Sequence, residues 1–360
     1  MLGRLLMALL AFGGTSTALL IVTSQVAPGW RPAGIEPPLD PQPVDPIAKH
    51  EAFQVEQISA EITVGAGANQ PAWILKPRVA SDAGPVPGIV LVHGAGRGSR
   101  EPLLETARAL ASAGTAVIIY EKRMAGYSVL ARDYAVLADD AIRAADVLGN
   151  TPGVERDRIG ILGFSEGGWV APTAVKAAPQ RFAFLVLASA SIVTPLEQAS
   201  WIVDQKLAGV PLPIRKTAGM ALGSGRTLIN YLDFDVQSTL ATLELPVYGI
   251  WGAEDPSVPI NVAVRRLTAA VPRPVALRIL PNAEHQLPAG TGWQADLAYW
   301  IASPPQLDAD DITGVEPASA AGVSSLPASG WYLNPILHMV VSVAVAILVF
   351  AIKSPSRRPQ

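Results

Sequence analysis

The stretch GILGFSEGGWVAP, Gly160 to Pro172, decides the reading of this chain. An apolar run from Ile159 to Phe164 has the character of a strand, a lone serine follows among small residues, and a helix-forming segment comes next. The centre, Gly163-Phe164-Ser165-Glu166-Gly167, has the form G-x-S-x-G. In that motif a serine is thrust out on a tight strand-to-helix turn, and a Cβ at either glycine would clash. Five such residues also arise by chance in a Gly-rich chain, where they make a plain turn, so the surrounding pattern has to decide.

Outward from this stretch, strands alternate with helices. Phe53 to Val64 and Ala72 to Leu75 read as antiparallel strands around a Gly-Ala-Gly turn. GIVLV, Gly88 to Val92, is a continuous apolar run, as expected of a central strand buried on both faces. Helix (Leu103 to Ser112), strand (Thr115 to Tyr120) and helix (Tyr134 to Leu148) follow, the last with Asp139, Asp140 and Arg143 on its polar face. Gly167 to Ala178 reads as helix and Phe182 to Ala188 as strand. Strand Pro246 to Trp251, helix Val262 to Ala270, strand Val275 to Leu280 and helix Trp293 to Ile301 complete the alternation. This pattern predicts a mostly parallel sheet with helices on both faces, whose chemistry lies just after strands. It lapses between residues 190 and 245, where Pro195 to Leu207 and Thr217 to Leu232 look helical. That insertion is either a lid over the carboxyl edge or a pair of ordinary packing helices.

The histidines sort by position. His50 lies at a linker end, His338 in an apolar terminal run, and only His93 and His285 close strands. A serine hydroxyl needs a base of pKa near 7, and His285, in Pro281-Asn282-Ala283-Glu284-His285, follows the last strand of the alternation. A carboxylate must hold that imidazole in its productive tautomer; Asp255, after the strand ending in Trp251, is the candidate, with Glu254 as the alternative. The order Ser165, Asp255, His285 is nucleophile, acid, base. A tetrahedral oxyanion needs two N–H donors. The backbone of Glu166 would supply one and that of Ala95 the other, with Gly94 and Gly96 letting the His93-Gly94-Ala95-Gly96 loop come close and His93 bracing it. No cofactor or metal is needed for such chemistry.

The segments VLVHGAGRGSRE, ALASAGTAVIIYEKRMAGYS, GVERDRIGILGFSEGGWVAP, WGAEDPSVP and LPNAEHQL together resemble those of the α/β-hydrolases. The likeness is to the esterase and peptidase-like branch related to dienelactone hydrolases and prolyl-oligopeptidase catalytic domains. It spans about Phe53 to Ile301 and implies an α/β-hydrolase fold and a serine hydrolase of carboxylic esters, acting through Ser165, Asp255 and His285 on a small ester or acyl substrate. Peptide or amide hydrolysis and acyl transfer use the same triad, and a non-catalytic binding protein would share the fold. Relatives read Tyr-Asp-Lys-Arg-Gly where this chain has Tyr120-Glu121-Lys122-Arg123-Met124, which bears on the geometry of that turn. Glu166, at the variable position of the motif, would disfavour anionic substrates by its charge.

The flanks differ from this domain. Residues 1–27 are apolar after Arg4 and read as a signal anchor or a signal peptide. Residues 28–49 form a Pro-rich linker, with seven prolines between Pro28 and Pro46. The hydrolase domain is expected over 50–302 and an Ala/Ser/Pro-rich linker over 303–332. Residues 333–352 are uncharged and apolar, about 30 Å as a helix, and read as a transmembrane span. The basic tail 353–360 is then cytoplasmic and the domain extracytoplasmic, since 303–332 holds no Lys or Arg. With a net charge of −3 and no basic run beyond a pair, a nucleic-acid partner has no electrostatic footprint. The absence of cysteine excludes disulfides, thiolate metal sites and a Cys nucleophile.

Overall fold

A computed structural model describes residues 2–26, 38–43, 52–65, 67–80, 83–210, 218, 222–223, 226, 228–288, 292–302, 310–318 and 335–352. The first half runs α1 (Leu2–Val26), β1 (Val55–Val64), β2 (Ala68–Pro77), β3 (Val86–Val92), α2 (Leu104–Ser112), β4 (Ala116–Tyr120), α3 (Tyr134–Gly149), β5 (Val154–Phe164) and α4 (Gly167–Ala177). The second runs β6 (Leu185–Ala188), α5 (Pro195–Lys206), α6 (Val236–Leu240), β7 (Val247–Gly252), α7 (Ile260–Ala270), β8 (Val275–Leu280), α8 (Trp293–Ala302), β9 (Asp311–Gly314) and α9 (Pro335–Ile352).

The strands form one sheet in the order β1-β2-β4-β3-β5-β6-β7-β8-β9. β1 and β2 are an antiparallel hairpin, β2 meets β4 antiparallel, and from β4 to β9 every pairing is parallel. The apolar runs explain why the central strands lie inside: successive side chains point to opposite faces, and both faces are covered. Val90 and Val92 of β3 pack on one side with α3, α4, α6 and α7, while Ile89 and Leu91 pack on the other with α2 and α8. α3 starts where its sequence signals it should, with the Asp133 carboxylate accepting from the amides of Ala135 and Val136.

Several expectations change. Asp140 does not sit on a polar face; it is buried, and Arg123 grips it through two guanidinium hydrogen bonds. The helical periodicity placed Asp140 beside Asp139, and only the incoming turn after β4 turns its position into core. Met124, the departure from the usual motif, is exposed at a turn closed by the Tyr127 amide on its carbonyl, so a side chain there costs the turn nothing. Part of the segment read as a spacer folds instead: β9 joins the sheet beside β8, with Gln42 bridging Thr313 and Leu39 buried. Its signal is only four residues long, and it is held by the Arg278–Asp311 ion pair at 3.1 Å, a contact that no local pattern announces. The helix expected over Thr217 to Leu232 is not seen as such: seven of its residues lie outside the described ones, and 228–232 form turns; the short α6 was not expected.

The two terminal spans find no support among the described residues. Among the described residues no helix is long and apolar enough to cross a membrane. α1 carries Arg4 and a Gly-Gly-Thr-Ser-Thr interruption; α9 begins at Pro335, and the Leu333 start of the expected span lies outside the described residues. What is seen is two helices, α1 and α9, packed on each other.

Burial holds the Asp140 carboxyl above its ordinary pKa, and Arg123 opposes that shift. A carboxyl whose folded-state pKa is raised costs stability once it ionises, and the cost fades as pH falls. Arg123→Ala, which leaves the buried carboxylate unpaired, should therefore cost about 3 kcal/mol at pH 8. The gap to wild type should narrow as pH is lowered toward about 5, as read by urea unfolding across that range.

Candidate active site

Parallel β5, β6 and β7 end in register, with Phe164 beside Ala188 and Ala188 beside Ile250. The loops beyond these ends meet at one edge of the sheet. Ser165 follows β5 directly at a φ of +52°, a left-handed conformation that a side chain tolerates poorly. The neighbouring glycines show why the turn can be so tight. A Cβ on Gly163 would lie 2.2 Å from the Gly167 carbonyl oxygen, and one on Gly167 would lie 2.6 Å from that of Val92. α4 thus starts hard against the ends of β5 and β3, which turns Ser165 outward.

His285 arrives from the loop after β8. Its carbonyl accepts from the Ser189 hydroxyl at 2.8 Å, and its ring lies 5.4 Å from that of Phe164. Its Nε2 is 2.9 Å from Ser165 Oγ, and its Nδ1 is 2.7 Å from Asp255 Oδ2. The Asp255 carboxylate is buried, and its other oxygen accepts from the Ser257 amide at 2.7 Å. Glu254, the alternative, is exposed, and it is Asp255 that reaches the imidazole. Serine, imidazole and carboxylate therefore form one continuous row of hydrogen bonds, drawn from three loops.

The loop after β3 closes the other side. A Cβ on Gly94 would approach the Ser165 Cβ to 3.2 Å, so this backbone passes directly over the serine. The amides of Ala95 and Glu166 donate to no group among the described residues, whereas that of Gly96 donates to the Tyr127 hydroxyl at 3.1 Å. His93 is buried edge-on to Tyr120, with ring centroids 5.2 Å apart. Burial and, after it, the charge of Lys122 push its imidazole down to about 3, so it stays neutral and is a poor base.

The Glu166 side chain overturns the expectation of a charge facing substrate. It points inward, buried, and its carboxylate accepts from Lys122 Nζ at 2.9 Å, from the Tyr127 hydroxyl at 2.7 Å and from Arg132. Lys122, Tyr127 and Arg132 were not singled out from the sequence as site residues. The signal available was the basic-aromatic stretch Lys122 to Arg132 after β4, but which of its side chains turn inward depends on the fold.

A cavity of about 360 Å³ opens beside Ala95, floored by Leu91, Leu162, Phe164, Leu287 and Trp293, with Arg97 at its edge. α5, from the insertion, is a packing helix: its Glu197 is clamped by Arg266 of α7 at 2.8 and 3.0 Å, and Trp201 is buried. Residues 211–217 of the insertion lie outside the described residues.

The comparisons agree with this architecture. Residues 132–303 match the model of the prolyl oligopeptidase family. No curated protein matches the chain. Among solved structures, a hypothetical protein from Pseudomonas aeruginosa superposes with a TM-score of 0.52 at 15% identity, covering 75% of this chain and 100% of that one. DcsB, solved in complex with its substrate analogue, gives 0.52 at 16% identity, over 70% and 99% of the two chains. The 2,6-dihydroxy-pseudo-oxynicotine hydrolase gives 0.50 at 19% identity, over 71% of each. At these identities the likeness is one of fold. Sheet order, elbow and matched segment together define the α/β-hydrolase fold.

Because the elbow leaves no room at its glycines, Gly167→Ala should lower stability by about 1–3 kcal/mol, the usual range for overpacking. A drop in the urea midpoint with an unchanged m-value would show it.

Proposed function

We propose that this chain is a serine hydrolase that cleaves carboxylic esters through an acyl-enzyme. The observation that carries the reading is the unbroken row Ser165 Oγ, His285 Nε2, His285 Nδ1 and Asp255 Oδ2, with links of 2.9 and 2.7 Å. Ser165 Oγ attacks the ester carbonyl while its proton passes to His285 Nε2. Asp255 holds the Nδ1–H and stabilises the imidazolium. The negative oxygen of the tetrahedral intermediate takes the free amides of Ala95 and Glu166. His285 then returns the proton to the departing alkoxide, which leaves as the alcohol. A water attacks the acyl-enzyme, giving its proton to His285; the acid departs and Ser165 regains its hydrogen. The apolar floor of the cavity supports an apolar acyl or alcohol group.

A second reading, hydrolysis of peptides or amides, is favoured by the match to the prolyl oligopeptidase family. The acyl half of the mechanism is the same, so the ratio of kcat/KM for p-nitrophenyl esters to that for matched p-nitroanilides separates the two. Ser165→Ala should abolish ester turnover and fluorophosphonate labelling while leaving the folded state intact. Labelling that survives the change would sink the serine-hydrolase reading.

We further infer that the domain works at a membrane, on the extracytoplasmic side, held there by the packed pair α1 and α9. Leu5, Leu6, Leu9 and Leu10 of α1 and Ile347, Leu348 and Phe350 of α9 are exposed, an apolar surface that water does not favour. The proposed side rests on the sequence alone, in which Arg4 and Lys353, Arg357 and Arg358 flank the apolar segments 1–27 and 333–352. Deleting residues 333–360 should move esterase activity from the membrane pellet to the supernatant; activity that stays with membranes would argue against the helix pair as the anchor.

A further inference from the structure

Two segments carry the amides proposed to hold the oxyanion: the loop after β3 and the elbow after β5. The β3–β5 ladder pairs Val92 with Gly163 and goes no further. Among the described residues, no backbone hydrogen bond joins 94–98 to 165–168. The spacing of Ala95 from Glu166 is therefore set by something other than the sheet. One factor is the close approach of Gly94 to Ser165.

The other is a buried polar strut from the turn after β4. Lys122 Nζ donates to the Gly94 carbonyl and, at 2.9 Å, to Glu166 Oε2, so one ammonium touches both segments. The Tyr127 hydroxyl repeats the pattern, accepting from the Gly96 amide at 3.1 Å and donating to the same carboxylate oxygen at 2.7 Å. The Lys122 amide adds a third tie, to the Gly98 carbonyl at 2.9 Å. Arg132 fills the remaining oxygen of Glu166 and stacks over Tyr231, 4.4 Å from its centroid, while its amide donates to Asn230 at 3.0 Å. The side chains of Lys122 and Glu166 are 4% and 1% exposed. An ion pair this deep is costly to desolvate and contributes little net stability against apolar residues of the same shape, so stability alone does not explain it.

We propose that Lys122 and Tyr127 are positioning residues for the reaction: with Glu166 as their common anchor, they set the separation of the Ala95 and Glu166 amides. This inference rests on the acyl-enzyme reading above. Catalysis by preorganised donors depends on their placement before charge develops. Loosening the strut should weaken binding of the tetrahedral oxygen while leaving the ester ground state, bound in the apolar cavity, nearly untouched. The expected signature is a loss in kcat with little change in KM.

The test uses the full-length chain, p-nitrophenyl butyrate, and the variants Tyr127→Phe, Lys122→Met and the triple Lys122→Met, Glu166→Leu and Arg132→Met, which removes every charge of the cluster. Fluorophosphonate titration counts competent sites, so that kcat is expressed per folded active site. Tyr127→Phe, which changes volume least and is the variant surest to fold, should lower kcat about 10-fold, and Lys122→Met about 10²-fold, toward the loss of one oxyanion donor. KM should stay within about threefold in both. The triple variant, an apolar replacement of the whole charged cluster, discriminates position from fold. If the strut only supports the fold, the apolar replacement restores kcat together with stability. If it positions the donors, the melting temperature recovers and kcat stays low. Single variants with kcat per titrated site within about twofold of wild type, or a triple variant restored to full kcat, would overturn the proposal. An active, labelled wild type with unaffected variants removes this proposal alone, whereas a wild type that neither labels nor turns over removes the serine-hydrolase reading with it.

Discussion

The structure depends on a turn with no spare room. Ser165 stands at a φ of +52° because β5 must end and α4 must begin within two residues, and glycines at 163 and 167 are what let the two backbones touch. Neither element would tolerate that approach alone. The strain at the serine is borne by the parallel ladder on either side of β5 and by the packing of α4 beneath it. Everything that reaches Ser165 does so from loops that extend past the same edge of the sheet, which is where a parallel sheet leaves room for chemistry. The sheet therefore supplies direction, and the loops supply the groups.

This division explains which features were legible in the sequence. Apolar runs and their alternation place the strands, because burial on both faces leaves a strong local signature in segments such as Gly88 to Val92. The elbow is legible because its glycines are required by backbone contact, independent of what lies further off. Ser165, Asp255 and His285 could be nominated because each follows a strand, and the structure brings those three together. Their catalytic roles remain the proposal made above. Residues whose position depends on a distant partner could not be read. Asp140 has the spacing of a solvent-facing acid and becomes core only when Arg123 arrives from another loop. β9 is four residues in a stretch that otherwise reads as spacer, and it joins the sheet by pairing with β8, with the Arg278–Asp311 ion pair and the Gln42 bridge beside it.

Glu166 shows the limit most sharply. Its position in the motif is variable, and its identity alone suggests a charge aimed at substrate. Its direction, though, is set by the start of α4: once the serine turns outward, the next side chain is turned in, toward the end of β4. A carboxylate there needs counter-charge, and the turn after β4 carries Lys122 and Arg132. One acid with two bases leaves an excess of positive charge beneath the two amides proposed for the oxyanion. The elbow thus imposes an inward-facing residue, and this chain uses the imposed position to hold polar groups that an apolar residue would not attract.

Burying those groups has a consequence for how the site can vary. An apolar residue at 166 would remove the need for Lys122 and Arg132, and with it the links from Gly94 and Gly96 to the elbow. The cluster is therefore connected: a change at any one member leaves the others buried without a partner, which is more costly than losing the contact itself. The Ser–His–Asp row is held differently, by the ends of three strands and by single backbone contacts such as Ser189 to the His285 carbonyl. Two supports of different physical character thus meet at Ser165. Strand register holds the Ser–His–Asp row, and buried charge holds the loop proposed to face the oxyanion. A site built this way can be perturbed on the second without disturbing the first, which is why rate and binding are expected to separate in this protein.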